Sequence, residues 1–170
     1  MLTFNRIDSI NEVDFDSLFE DSLNNMNTGT YIWAENVDTV EKKKQHLKDI
    51  IASIVDPFMY KVMDESGKDL SLVVGTLKRG TFTIIVSFTG YNTNMSKSWI
   101  YYTETIEARR AFFEQQQITS VQFDHLSSSG FSRKAPILLG SGWEDRTYPT
   151  DKRFSRTTTV DFFRSDKVVN

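Results

Sequence analysis

Residues 59–124 decide the fold: MYKVMDESGKDLSLVVGTLKRGTFTIIVSF (59–88), then TETIEARRAFFEQQ (103–116), then SVQFD (120–124). The first segment holds three β-rich runs, MYKVMD, LSLVVGTLK and TFTIIVSF. Two short turns separate them, Glu65-Ser66-Gly67-Lys68 and Arg79-Gly80, each with a glycine to take up left-handed backbone. This spacing predicts a three-stranded antiparallel meander. The second segment has a helical pattern with Thr103 as its cap, and SVQFD reads as one more strand.

Working outward, LTFNRI (2–7) alternates well enough for a first strand. Asp14 caps a predicted helix whose Phe15, Leu18, Phe19, Leu23 and Met26 recur at three and four residues, so they form one buried stripe. Asn24 to Gly29 end it. Asp38 and Glu41 have the spacing of a capping box, and a second helix runs to about Ile54. Val40, Leu47, Ile50, Ile51 and Ile54 form its apolar side, while Lys42, Lys43 and Lys44 are expected to face solvent. Pro57 marks the exit. After Asp124, HLSSSGFSRKAPILLGSGW (125–143) carries a short apolar run from Ala135 to Leu139, and TTTVDFF (157–163) reads as a final strand.

The composition limits the function classes. A chain of 170 residues, 39% hydrophobic and 13% aromatic, suits one domain with a real core, spanning 1–170. There is no cysteine, so disulfides, thiolate zinc sites and cysteine nucleophiles are excluded. Two isolated histidines, His46 and His125, make no metal site. The net charge of −3 argues against nucleic-acid binding. No run resembles a signal peptide or approaches the ~20 apolar residues of a membrane span, so a cytoplasmic protein without membrane attachment is expected. Between Ile7 and Asp38 stand eight carboxylates and no Lys or Arg. They read either as solvated helix faces and loops, or as an acidic rim that attracts a cationic substrate such as an amine.

The element order is strand, two helices, three antiparallel strands, helix, strand, short helix, two strands. This order, with the turn at Glu65–Lys68 leading into LSLVVGTL and Gly142-Trp143 after an apolar run, resembles the GNAT acetyltransferase superfamily over essentially the whole chain. The resemblance implies an α+β single domain: a mixed, mainly antiparallel twisted sheet with helices on both faces. Its fourth and fifth strands should be parallel, joined by the third helix, and should splay into a V-shaped cleft. It also implies transfer of an acetyl or acyl group from acetyl-CoA to a small amine, without a metal. A catalytically inactive relative that binds a ligand or a protein partner is the alternative.

The resemblance also implies site residues. Members of the superfamily hold the pyrophosphate with an Arg or Gln followed by spaced glycines at the N-terminus of the third helix, where backbone N–H groups meet the anion. The matching positions here are Lys97 to Tyr102, with Lys97 in the place of the Arg or Gln, and bulky Ile100 and Tyr102 in the places of the glycines. Glu104 and Glu107 follow in the first helical turn, where they complement the dipole themselves. Lys97, Ser98 and Trp99, together with the strand end Ser87, Phe88 and Thr89, are the expected acyl-CoA contacts. The Tyr that often serves as general acid is replaced by Leu138. Asp124 and His125, at the end of the fifth strand, are the candidate catalytic pair, with His125 as base. Tyr31 and Trp33, in the loop after the first helix, are candidate substrate contacts. With Tyr91, Trp99, Tyr101 and Tyr102 they read either as core packing or as the lining of a cleft.

Overall fold

The structure, a computed structural model, describes residues 2–25, 35–89, 108–125 and 156–161. The described strands are β1 (Thr3–Ile7), β2 (Phe58–Met63), β3 (Asp69–Lys78), β4 (Thr81–Thr89), β5 (Ser120–His125) and β6 (Arg156–Asp161). They form one sheet in the order β1-β2-β3-β4-β5-β6. Every neighbouring pair is antiparallel except β4 and β5, which are parallel. The helices are α1 (Phe15–Asn25), α2 (Val40–Ser53) and the segment 108–115, called α3. The sheet is therefore mixed and mainly antiparallel, as the sequence predicts. α3 lies in the connection between β4 and β5, and parallel neighbours require such a crossover.

Both faces of the sheet are covered. On one face Phe58, Tyr60, Val62, Val73, Phe82 and Val121 pack with Phe112, Phe113 and Ile118 from α3 and its exit. On the other, Met59, Leu72, Val74 and Val86 pack with Phe15, Leu18 and Phe19 of α1 and Leu47 and Ile51 of α2. The period-2 alternation of β2 decides this division, because Phe58, Tyr60 and Val62 point one way and Met59 the other. Fully burying side chains of this size contributes about 1.5–3 kcal/mol each.

Local chemistry sets the element ends. Gly67 (φ 86°) closes the β2–β3 turn, whose Asp64 carboxylate accepts from the backbone N–H groups of Ser66 and Lys68 and from the Ser66 hydroxyl. Those bonds, led by the Ser66 hydroxyl, hold the Asp64 carboxyl below the usual carboxylate range. Arg79 (φ 50°) and Gly80 (φ 82°) form the two-residue β3–β4 hairpin loop, with positive φ at both positions as a type I′ turn requires. α3 ends in a Schellman motif: Gln117 takes φ 60°, Ile118 N–H donates to Phe113 O, and Gln117 N–H donates to Glu114 O.

Three expectations are corrected. The N-cap of α2 is Thr39, whose hydroxyl accepts from Lys42 N–H; Asp38 lies one residue earlier and pairs with the Lys42 ammonium at 3.1 Å. Val40 is exposed, because the first turn of α2 stands clear of the sheet-facing stripe. Lys44 is not a solvent-facing lysine. It is buried at 7% exposure between α1 and α2, 3.0 Å from Glu20 and 3.2 Å from Glu41. A reciprocal capping box exists elsewhere, between Ser9 and Glu12, just before α1. Asp14 caps α1 as expected.

Candidate functional site

β5 begins tied to the β3–β4 hairpin. The Gly80 carbonyl accepts from Thr119 N–H (2.8 Å) and Ser120 N–H (3.2 Å), and the hydroxyls of Thr81 and Ser120 lie 2.9 Å apart. The parallel ladder then has three pairs, Thr81↔Ser120, Phe82↔Val121 and Thr83↔Gln122. Past them the two strands run on without pairing to each other. β4 continues to Thr89 and β5 to His125. At ~3.3 Å per residue the free stretches extend roughly 20 Å and 10 Å. Among the described residues, this parting leaves one edge of β4 without a β5 partner, at the place where the V-shaped cleft is expected.

β4 also carries a bulge at this place. The register with β3 shifts between Val74↔Val86 and Gly75↔Ile84, so Ile85 is an extra residue on β4. The shift inverts the alternation. Phe82 and Ile84 pack on the α3 face, yet Val86, two residues on, packs with α1 and α2. Ser87 is exposed after the bulge. The only sequence signal for this feature is Gly75 within an otherwise β-branched run.

Five of the sequence-derived candidates fall on the two strand ends. Ser87, Phe88 and Thr89 end β4, and in the β3 ladder they sit opposite Val73, Leu72 and Ser71. Asp124 and His125 end β5, and they pair with Thr157 and Arg156 of β6 on the side away from β4. Because β4 and β5 are parallel, both sets lie at the same end of the sheet, past the last shared pair. Lys97, Ser98, Trp99, Tyr31 and Trp33 lie outside the described residues, as do Thr103, Glu104, Glu107 and Leu138. Among the described residues, no group of three or more His, Cys, Asp or Glu is placed to hold a metal ion. No described helix is long and apolar enough to cross a membrane.

Most of the acids counted between Ile7 and Asp38 have structural work. Glu12 and Asp14 cap, Asp16 lies 3.3 Å from Lys48, Glu20 3.0 Å from Lys44, Asp21 3.5 Å from Lys68, and Asp38 3.1 Å from Lys42. Helix faces tied by ion pairs account for these acids better than a free acidic rim does.

No protein-family model matches the chain, and no curated protein matches it by sequence. Solved structures do match. The aminoglycoside acetyltransferase AAC(6')-Ib in complex with coenzyme A and kanamycin superposes with a TM-score of 0.63 at 15% identity, covering 100% of both chains. The fold is GNAT-like. The ribosomal-protein-S18-alanine N-acetyltransferase from Escherichia coli matches at TM-score 0.55 and 8% identity, over 95% of this chain and 94% of that one. The PaiA N-acetyltransferase from Thermoplasma acidophilum, in complex with coenzyme A, matches at TM-score 0.55 and 15% identity, over 95% and 99%. At these identities the likeness is one of fold.

Proposed function

We propose that this GNAT-like chain is an acyltransferase that moves an acetyl or other acyl group from acyl-CoA to an amine. The observation that carries the reading is the parting of β4 from β5 after three ladder pairs, within a fold shared with coenzyme A-bound acetyltransferases. The β4 edge that β5 leaves unpaired among the described residues suits the amide-rich arm of coenzyme A, which can add to a sheet edge as an extended peptide does. Bound acyl-CoA would supply an activated thioester. The N–H groups of Ser87 to Thr89 would donate to its carbonyl oxygen, where charge develops. A neutral amine held between the arms would attack the carbonyl carbon as the C–S bond breaks. His125, directly or through a water, would take the proton from the amine nitrogen as the CoA thiolate leaves. Lys97, Ser98 and Trp99 would contact the distal part of the donor, and Tyr31 and Trp33 the acceptor.

A second reading is a GNAT-like module that binds a ligand or protein partner without catalysis. Ile100 and Tyr102 favour it, because bulky side chains stand where close approach to a pyrophosphate asks for glycine. Glu104 and Glu107 add negative charge beside that position. Calorimetry with acetyl-CoA and with CoA separates the two. Micromolar binding, followed by thiol release with a panel of polyamines and aminoglycosides, is expected for the enzyme. No heat at millimolar ligand would leave only the binding module.

A further inference from the structure

We infer that Gly75 is a positioning residue for the cleft, because it admits the bulge that sets which β4 side chains line it. A Cβ added at Gly75 would overlap the Thr83 carbonyl oxygen, and would lie 2.8 Å from the Thr83 carbonyl carbon and 2.9 Å from the Phe82 ring. Two of these contacts are backbone, so no side-chain rotation relieves them. Thr83 comes this close because β4 takes in Ile85 beside it, at the point where the register shifts. An extra residue reverses the pleat for everything beyond it. Val86 therefore enters the core at 2% exposure, although its even-numbered neighbours Phe82 and Ile84 pack on the opposite face. Ser87 is exposed for the same reason. In a regular ladder the two would exchange places: a serine would enter the α1–α2 core, and a valine would stand at the parting of the strands. Gly75 reaches the cleft only through Thr83 and Ile85.

The absence of native cysteine makes the test clean. Val86→Cys, Ser87→Cys and, as a distant buried control, Leu18→Cys are each labelled with a small maleimide. In the native background the Ser87→Cys protein should react at least a hundredfold faster than the Val86→Cys protein. Adding Gly75→Ala should raise the rate of Val86→Cys at least tenfold more than that of Leu18→Cys. Equal increases at the two buried positions would mean that the glycine merely supports global stability, and would overturn the inference. Deleting Ile85 removes the extra residue and leaves a regular ladder in which Gly75 still faces Ile84 and Val86 still faces Val74, so it serves if Gly75→Ala alone does not fold. The contrast in rate between Ser87→Cys and Val86→Cys should then survive adding Gly75→Ala to the deletion, because no bulge remains for the glycine to admit; loss of the contrast there would equally sink the idea. A binding measurement rests on the acyltransferase reading: Gly75→Ala should weaken acetyl-CoA binding at least tenfold. If the unaltered protein binds no acetyl-CoA, that reading fails while the labelling still decides the role of Gly75.

Discussion

The Lys44 ammonium lies 3.0 Å from the Glu20 carboxylate and joins α2 to α1 from a buried position. Glu41 at 3.2 Å and Asp16 at 3.9 Å complete the surround. The hydrogen bond to Glu20 is the main influence raising the Lys44 pKa above 10.5; desolvation opposes it, and Glu41 adds to it. A raised lysine pKa stabilises the fold fully below the unfolded value, and that contribution is lost as pH rises through the folded value. Lys44→Ala should therefore lower the thermal midpoint at neutral pH, with the difference from the unaltered protein shrinking above pH 10.5. Lys42→Ala, which removes an exposed i,i+4 pair, should cost no more than about 0.5 kcal/mol.

Alkaline unfolding should depend on Tyr60. Burial among Phe4, Phe82, Phe112 and Phe113 raises its pKa from 10.0 to about 12, against a smaller opposing influence of Arg109. Between those values the unfolded chain releases the phenolic proton and the folded chain keeps it, so stability falls as pH rises. The loss amounts to roughly 2–3 kcal/mol by about pH 12. Urea titrations at about pH 9 and about pH 11.5 should show the decline in the unaltered protein and a shallower one in Tyr60→Phe.

Asp69 holds the start of β3 to the segment before α1. One carboxylate oxygen accepts from Asp14 N–H at 2.9 Å, and the other lies 3.2 Å from the Lys61 ammonium, outside hydrogen-bond geometry. Lys61 also donates to the Glu12 carbonyl. Asp69→Ala should cost about 2–3 kcal/mol in urea denaturation, since it strands a largely buried cation and an N–H donor. Asp69→Asn retains the acceptor for Asp14 and should cost less.

Gln117 bears a left-handed conformational cost at the end of α3, at a position that helices ending in this motif usually give to glycine. Gln117→Gly should raise stability by about 0.5–1 kcal/mol, after allowing for the greater freedom of glycine in the unfolded chain. Differential scanning calorimetry checks both sign and size.

For the proposed acyl transfer, His125→Gln should lower the turnover number ten- to a hundredfold while leaving the acetyl-CoA affinity within twofold. An equal loss in both would assign His125 to binding instead of proton transfer.

The meander, its two turns and the α1 cap are legible in the sequence because each rests on neighbouring residues. Alternation, a glycine where φ is positive, and a carboxylate reaching forward three residues are interactions of short range. The parallel return of β5 is legible through element order, since a helix between two strands permits that topology. The Ile85 bulge is not, because two strands must be in register before an extra residue on one of them has meaning. Nothing in TFTIIVSF says that Phe82 and Val86, an even number apart, pack on opposite faces; the glycine on the neighbouring strand permits it. Lys44 departs from its sequence reading for a related reason. A lysine among lysines looks solvated until a second helix brings Glu20 against it. Local periodicity thus determined which segments became strands and helices. Contacts between segments distant in sequence decided which residues line the cleft and which charges are buried.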